Sequence, residues 1–203
     1  MRFIHTADWH LGRLFHGVHL TEDQAHILEQ FVAFVKDGKP DVILIAGDIY
    51  DRAVPPPEAV GLLDDVLSRL VLGLKVPVVL IAGNHDSPQR LGFGSRLLAG
   101  QRLHIFASCS EAVAPVIIKD KAGVYIYGVP YTEPPVIREY LGCDTVHDHD
   151  SAMLALIGRL RQVHPEGRRS CARRPHIRRR QLGMRIGTSP IGGRNGRGGL
   201  RLL

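Results

Sequence analysis

Three short polar clusters carry side chains that could do chemistry together. They are Asp8-Trp9-His10 within HTADWHLG, Gly47-Asp48 within AGDIYDR and Gly83-Asn84-His85-Asp86 within AGNHD. Carboxylate, amide and imidazole donors in combination suit a borderline divalent cation. Glycine directly before Asp48 and before Asn84 lets the chain turn sharply and brings those groups close to a phosphate. Singly, each cluster is ordinary, since an aspartate after a strand commonly caps a helix or forms a turn. A lone histidine is commonly a satisfied surface or core group. What sets the three apart is their conjunction, because each follows an apolar run of the kind that forms a buried strand.

The elements that must position them can be read from periodicity. Phe3 and Ile4 begin a short strand-like run within Met1–Thr6. Thr21 opens a helix, with Gln24 three residues on in capping-box spacing, and Ile27, Leu28, Phe31, Phe34 and Val35 recur at helical intervals. Gly38-Lys39-Pro40 ends it. DVILIA (Asp41–Ala46) and VPVVLIA (Val76–Ala82) are continuous apolar runs, the mark of strands buried on both faces. Between them Pro55–Pro57 starts a helix whose apolar stripe is Val60, Leu63, Val66, Leu67 and Leu70. Leu97 and Leu98 suggest another helix; Leu103–Phe106, Val113–Ile118 and Val124–Val129 read as strands, and Asp150–Val163 as an amphipathic helix. Alternating buried strands and helices give a layered α/β fold, and ligands of such sheets gather at the carboxyl ends of the strands.

The 203 residues fit one ordinary domain. No apolar run of membrane-spanning length occurs, and the start lacks a secretory signal's basic and apolar regions. Cys109, Cys143 and Cys171 are odd in number and not in a metal-type spacing, which suits a reducing cytoplasm. The net charge of +6 invites a nucleic-acid reading but is unevenly placed. Eleven of the 26 basic residues lie between Arg168 and Leu203 with no acid among them, leaving fifteen basic and twenty acidic groups, a balance of −5, on residues 1–167. Overall charge is therefore poor support for DNA binding by the folded part.

The pattern D-x-H, G-D, G-N-H-D resembles the signature of the calcineurin-like metallophosphoesterases. HTADWHLG and AGDIYDR resemble, more particularly, the SbcD nuclease family and its double-strand-break-repair relatives, and the similarity runs from Met1 to about Arg168. The resemblance implies a β-sandwich flanked by helices and a cytoplasmic, manganese-dependent DNA nuclease of repair, recombination and replication. Such a nuclease acts as a double-strand exonuclease and single-strand endonuclease. It also implies two divalent ions, with Asp8 and His10 on the first, Asp48 bridging both and Asn84 on the second. His85 would stabilise or protonate the reacting phosphate, and Asp86 would orient its ring. Two cations about 3.5–4 Å apart clamp a phosphodiester for in-line attack. DNA, an SbcC-like ATPase and a second copy of the chain are the implied partners. The competing reading is a small-molecule phosphodiesterase or phosphatase of the same superfamily.

The sequence departs from the resembled family after residue 167. A further histidine after a buried strand, and a later G-H-x-H, have no counterpart. The chain thus divides into residues 1–167, the domain, and residues 168–203, an Arg/Gly-rich tail expected to be disordered on composition. Read one base late with permitted synonymous codons, Cys171–Gly198 becomes a buried strand, the missing histidine (from the codons of Pro175 and His176) and a run containing acids. The expectation is a tail translated out of frame, a sheet lacking its final strands, weak metal binding and little nuclease activity for the 203-residue chain. As an alternative, eleven unopposed arginines would make a salt-sensitive arm for nucleic acid. His147-Asp148-His149 has metal-pair spacing but reads better as a solvated helix start. His16, His19, His26, His104 and His164 read as ordinary surface or core residues, and Trp9 as packing or substrate-facing.

Overall fold

The computed structural model describes residues 1–118, 123–166, 169–173 and 201–202. The chain enters through β1 (Phe3–Thr6), makes a small exposed hairpin of β2 (Leu14–Phe15) and β3 (Val18–His19), and continues into α1 (Thr21–Gly38). β4 (Val42–Ala46) is buried at all five positions. α2 (Pro57–Ser68) starts with proline at its first turn, where the missing N–H has no helical acceptor to lose, and runs on into a π turn at Arg69–Gly73. β5 (Val78–Ile81), the short α3 (Pro88–Leu91) and α4 (Ser95–Leu98), and β6 (Leu103–Phe106) follow. The first sheet, in the order β1-β4-β5-β6, is parallel throughout. β7 (Val116–Ile118) and β8 (Val124–Gly128) pair antiparallel. α5 (Pro134–Leu141) and α6 (His149–Val163) precede β9 (Arg169–Arg173), which lies parallel on β8, with β10 (Arg201–Leu202) beyond it.

Alternation along the strands sorts the core into layers. Ile43, Ile45, Val78 and Leu80 face α1 and α2, meeting Leu28, Val32, Val35, Leu63, Val66 and Leu70. Their neighbours Val42, Leu44, Val79 and Ile81 point the other way and pack on Val116, Val124 and Ile126 of the second sheet. That sheet's outer side, through Tyr127, is covered by Ile137 of α5 and by Leu156 and Leu160 of α6. The result is helix, sheet, sheet, helix: the expected sandwich flanked by helices.

Several expectations need correction. Thr21 is not a cap: the N-cap of α1 is Leu20, with no side-chain cap bond, and Gln24 turns away to the loop before it. Ile27 and Phe34 are 60% exposed and Val60 is 45% exposed, because those helices bury a narrower stripe than the apolar spacing suggests. The strand expected from Val113 begins only at Val116, and the hairpin and α5 come without a sequence signal. Within residues 168–203, Arg169–Arg173 and Arg201–Leu202 are strands of the second sheet. The expectation of disorder for the rest of that tail lies outside the described residues.

Candidate metal centre

The three clusters meet where β1, β4 and β5 end. Backbone hydrogen bonds zip the first loop to the second: Asp8 N donates to Gly47 O (3.1 Å), His10 N to Asp48 O (2.9 Å), Leu11 N to Ile49 O (2.9 Å) and Asp51 N to Leu11 O (3.1 Å). Asp8, His10 and Asp48 all sit at positive φ (56°, 46° and 49°). This is a conformation that side chains other than glycine rarely adopt, and one that clusters at functional sites when its surroundings over-determine it. The third loop packs hard against the second. A Cβ on Gly83 would collide with the backbone nitrogen and Oδ1 of Asp48, so only glycine lets the two loops touch.

The donors converge. His10 Nε2 lies 4.0 Å from Asp8 Oδ1 and 3.9 Å from Asp48 Oδ2, and one donor atom from each residue falls within 4.8 Å of the others. Donors at right angles on one ion at about 2.1 Å stand about 3 Å apart. The two distances from His10 exceed that spacing by about 1 Å. Asp48 is 7% exposed and its Oδ1 accepts the His85 N–H (3.1 Å). The His85 ring stands edge-on to His10, centroids 4.8 Å apart, and its Nδ1 pairs with Asp51 O (2.8 Å), which leaves Nε2 of this exposed side chain uncommitted. Asn84 is exposed on the same turn. Its side chain has no partner among the described residues, so the sequence-derived role for it rests on position alone.

Asp86 departs from expectation. Its carboxylate does not orient the His85 ring but accepts three backbone amides: Ile49 N (3.1 Å) and Gly83 N (2.8 Å) on Oδ2, Tyr50 N (2.9 Å) on Oδ1. It is 6% exposed. Burial pushes its carboxyl above the usual range, the three amides pull it back, and the neighbouring charge of Asp48 pushes it up again. Beside it, burial and the Asp86 charge push the Tyr50 hydroxyl up to about 12. Asp86 thus clamps the second loop to the third.

One residue of the site, Asp51, went unread in the sequence, and another, Gln24, was read only as a capping partner. Asp51, three after Asp48, places Oδ1 3.3 Å from His10 Nδ1 and forms a second donor group with His10 and His85. His10 Nδ1 is buried and has no partner in hydrogen-bond geometry, although the Asp51 carboxylate stands beside it. A carboxylate behind a metal-ligating imidazole fixes its tautomer and turns the other nitrogen to the ion. The spacing within AGDIYDR was the available signal. Gln24 of α1 bonds Gly12 N, Trp9 O and His10 O. Trp9 itself is a packing residue, edge-on to Phe31 and bonded to Thr6 Oγ1.

These residues fit a divalent cation. Asp8, Asp48, Asp51 and Asp86 crowd one site with only two imidazoles beside them, a charge excess that a cation offsets, and the donor set is all oxygen and nitrogen. Asp8, His10 and Asp48 would hold a first ion. For a second, the described residues offer Asp48 and Asn84. Among the described residues, no other histidine joins these donor groups. Asp148 caps α6 in a reciprocal capping box with Ser151, and His149 lies against Tyr131 and Glu133, as expected for a helix start. No helix among the described residues is long and apolar enough to cross a membrane.

A family model, the calcineurin-like phosphoesterases, matches residues 1–155. That span takes in all three loops, the first sheet and β7 and β8 of the second, and ends within α6. A match over most of the chain, on the residues that converge at the strand ends, makes this chain a member of the calcineurin-like phosphoesterase family.

Proposed function

We propose that the chain is a DNA nuclease of the SbcD kind, hydrolysing phosphodiester bonds with two divalent ions, manganese by resemblance. Asp8, His10 and Asp48 meeting at one point, with the His85 imidazole 4.8 Å from that of His10, is the observation that carries this reading. When bound, such ions supply Lewis acidity and neutralise phosphate charge. The chain's own residues do the rest. Asp8 and His10 would hold the first ion, Asn84 the second, and Asp48, whose Oδ2 is free, would serve both. His85, its Nδ1 hydrogen committed to Asp51 O, presents Nε2 to a phosphate oxygen and donates a proton there when charged. The wording of HTADWHLG and AGDIYDR favours DNA over a small phosphodiester. An SbcC-like ATPase and a second copy of the chain would present the DNA end in the cytoplasm.

The test compares duplex DNA, single-stranded DNA and bis-p-nitrophenyl phosphate as Mn²⁺-dependent substrates, using a chain that carries the two later histidine motifs. DNA cleavage that is lost in His85→Ala, with Mn²⁺ binding retained, supports the reading. Hydrolysis of the small diester with DNA left intact would assign the site to the small-molecule branch of the family instead.

A further inference from the structure

Outside the ligands themselves, Gln24 is the side chain most fully committed to the site. It projects from the first turn of α1, where sequence spacing alone would make it a capping partner. Its Oε1 accepts the Gly12 N–H (3.0 Å), while Nε2 donates to Trp9 O (3.2 Å) and to His10 O (2.7 Å). Every hydrogen-bonding group of the amide facing the loop is used, and the three backbone atoms it holds bracket His10 from both sides. His10 needs bracing, because its φ of 46° is one that an L-residue leaves readily. The brace is anchored well. α1 is seated on the first sheet by Leu28, Val32 and Val35, and the Trp9 ring packs on Phe31, further along the same helix.

Only a primary amide can do this. A carboxylate would keep the Gly12 bond but turn a second oxygen toward two carbonyls; an apolar chain would keep none. We infer that Gln24 is a positioning residue for the first metal ion, holding the left-handed backbone that aims His10 Nε2 at Asp8 and Asp48. This rests on the metal-centre reading above and adds to it a residue that touches neither metal nor substrate.

The test uses the 203-residue chain and Mn²⁺ alone as the probe, followed by titration calorimetry and by the Mn²⁺ electron paramagnetic resonance signal. Gln24→Leu and Gln24→Glu are compared with wild type and with Gln30→Leu, an exposed position of the same helix that bonds only His26 among the described residues. Outer-shell partners of metal ligands typically change affinity by about 10–100-fold. Both Gln24 variants should therefore bind Mn²⁺ at least about tenfold more weakly, and Gln30→Leu about as tightly as wild type. Unfolding in EDTA separates a general loss of stability from a misplaced ligand. Variants that unfold earlier without metal yet bind Mn²⁺ with unchanged affinity when folded would overturn the inference. So would a folded Gln24→Glu, the milder change, with wild-type affinity. Failure of the wild-type chain to bind Mn²⁺ would overturn the metal centre and this inference together, whereas equal affinities across the series would overturn this inference alone.

Discussion

Replacing Asp86 separates two accounts of that residue, a brace between loops and an orienter of the His85 ring. Its carboxylate accepts Ile49 N, Tyr50 N and Gly83 N at 2.8–3.1 Å, and it is 6% exposed. Asp86→Ala would leave three amides without acceptors in a place water reaches poorly, and each buried unsatisfied donor costs about 1–3 kcal/mol. Removing the carboxylate also removes its own burial cost, the largest influence on its raised pKa, and that offsets part of the loss. The net destabilisation should be about 3–5 kcal/mol, a large share of the roughly 5–15 kcal/mol that holds a domain together. Asp86→Asn keeps an acceptor oxygen but turns an NH₂ toward at least one amide, and should cost about 1–3 kcal/mol. Urea unfolding in EDTA reads both, and with a slope of about 2 kcal/mol/M the alanine variant should lose about 2 M in midpoint. EDTA removes any contribution from metal binding. A folded Asp86→Ala chain within about 1 kcal/mol of wild type would refute the bracing argument.

Gly83→Ala should be at least as damaging, by about 3 kcal/mol or more, since the added Cβ meets the backbone nitrogen and carboxylate of a buried Asp48 with nowhere to move; urea unfolding checks it. Asp51→Ala should weaken Mn²⁺ binding about tenfold by freeing the His10 ring, while the Asp51 carbonyl still holds His85; calorimetric titration reads the first, and His85→Ala in the same background should add no further loss of binding. Burial depresses the pKa of His104 on β6, so the unfolded chain takes up that proton first. Its stability contribution is full above the ordinary histidine value of about 6.5 and falls as pH drops below it. His104→Gln should therefore lose less stability than wild type as pH falls from about 7.5 to about 5.5, measured by urea midpoint.

The strands and two of the three loops were legible because burial writes itself into runs such as DVILIA and VPVVLIA, which the second and third clusters follow directly; β1, ahead of the first cluster, lies at the sheet edge with no buried residue and Phe3 39% exposed, so the buried strand expected there is not found. Elements with little to bury left no such trace. The β2–β3 hairpin exposes all four of its residues, and α5 is short and begins at Pro134 beside a second proline. The Thr21–Gln24 spacing fits a capping box, yet the amide finds three unpaired backbone groups in the Trp9–Gly12 loop, and local spacing cannot show a competitor brought in by the fold. Asp86 misled for the opposite reason. Adjacent to His85 in sequence, it points into the core while the histidine points out, since neighbours on a tight turn diverge.

The four carboxylates of the site divide their labour by how many oxygens the backbone has already claimed. Asp86 gives both to amides and has none left for an ion. Asp48 gives Oδ1 to the His85 amide and keeps Oδ2, 3.9 Å from His10 Nε2, free for a cation. Asp51 spends its carbonyl on His85 and aims its carboxylate at His10 Nδ1, behind the coordinating face. Asp8 alone is braced only through its backbone, and its side chain is half exposed. Of the three residues that would hold a first ion, Asp48 and His10 are therefore held in place by the fold, and Asp8 is the one whose side chain is free to adjust. Asp8→Ala should accordingly leave metal-free stability within about 0.5 kcal/mol of wild type, or raise it by relieving charge repulsion, because an exposed, unbraced carboxylate contributes little. The same change should still weaken Mn²⁺ binding at least about tenfold. A variant as unstable as Asp86→Ala in EDTA would show that Asp8 braces the site as well, and the division of labour would fail.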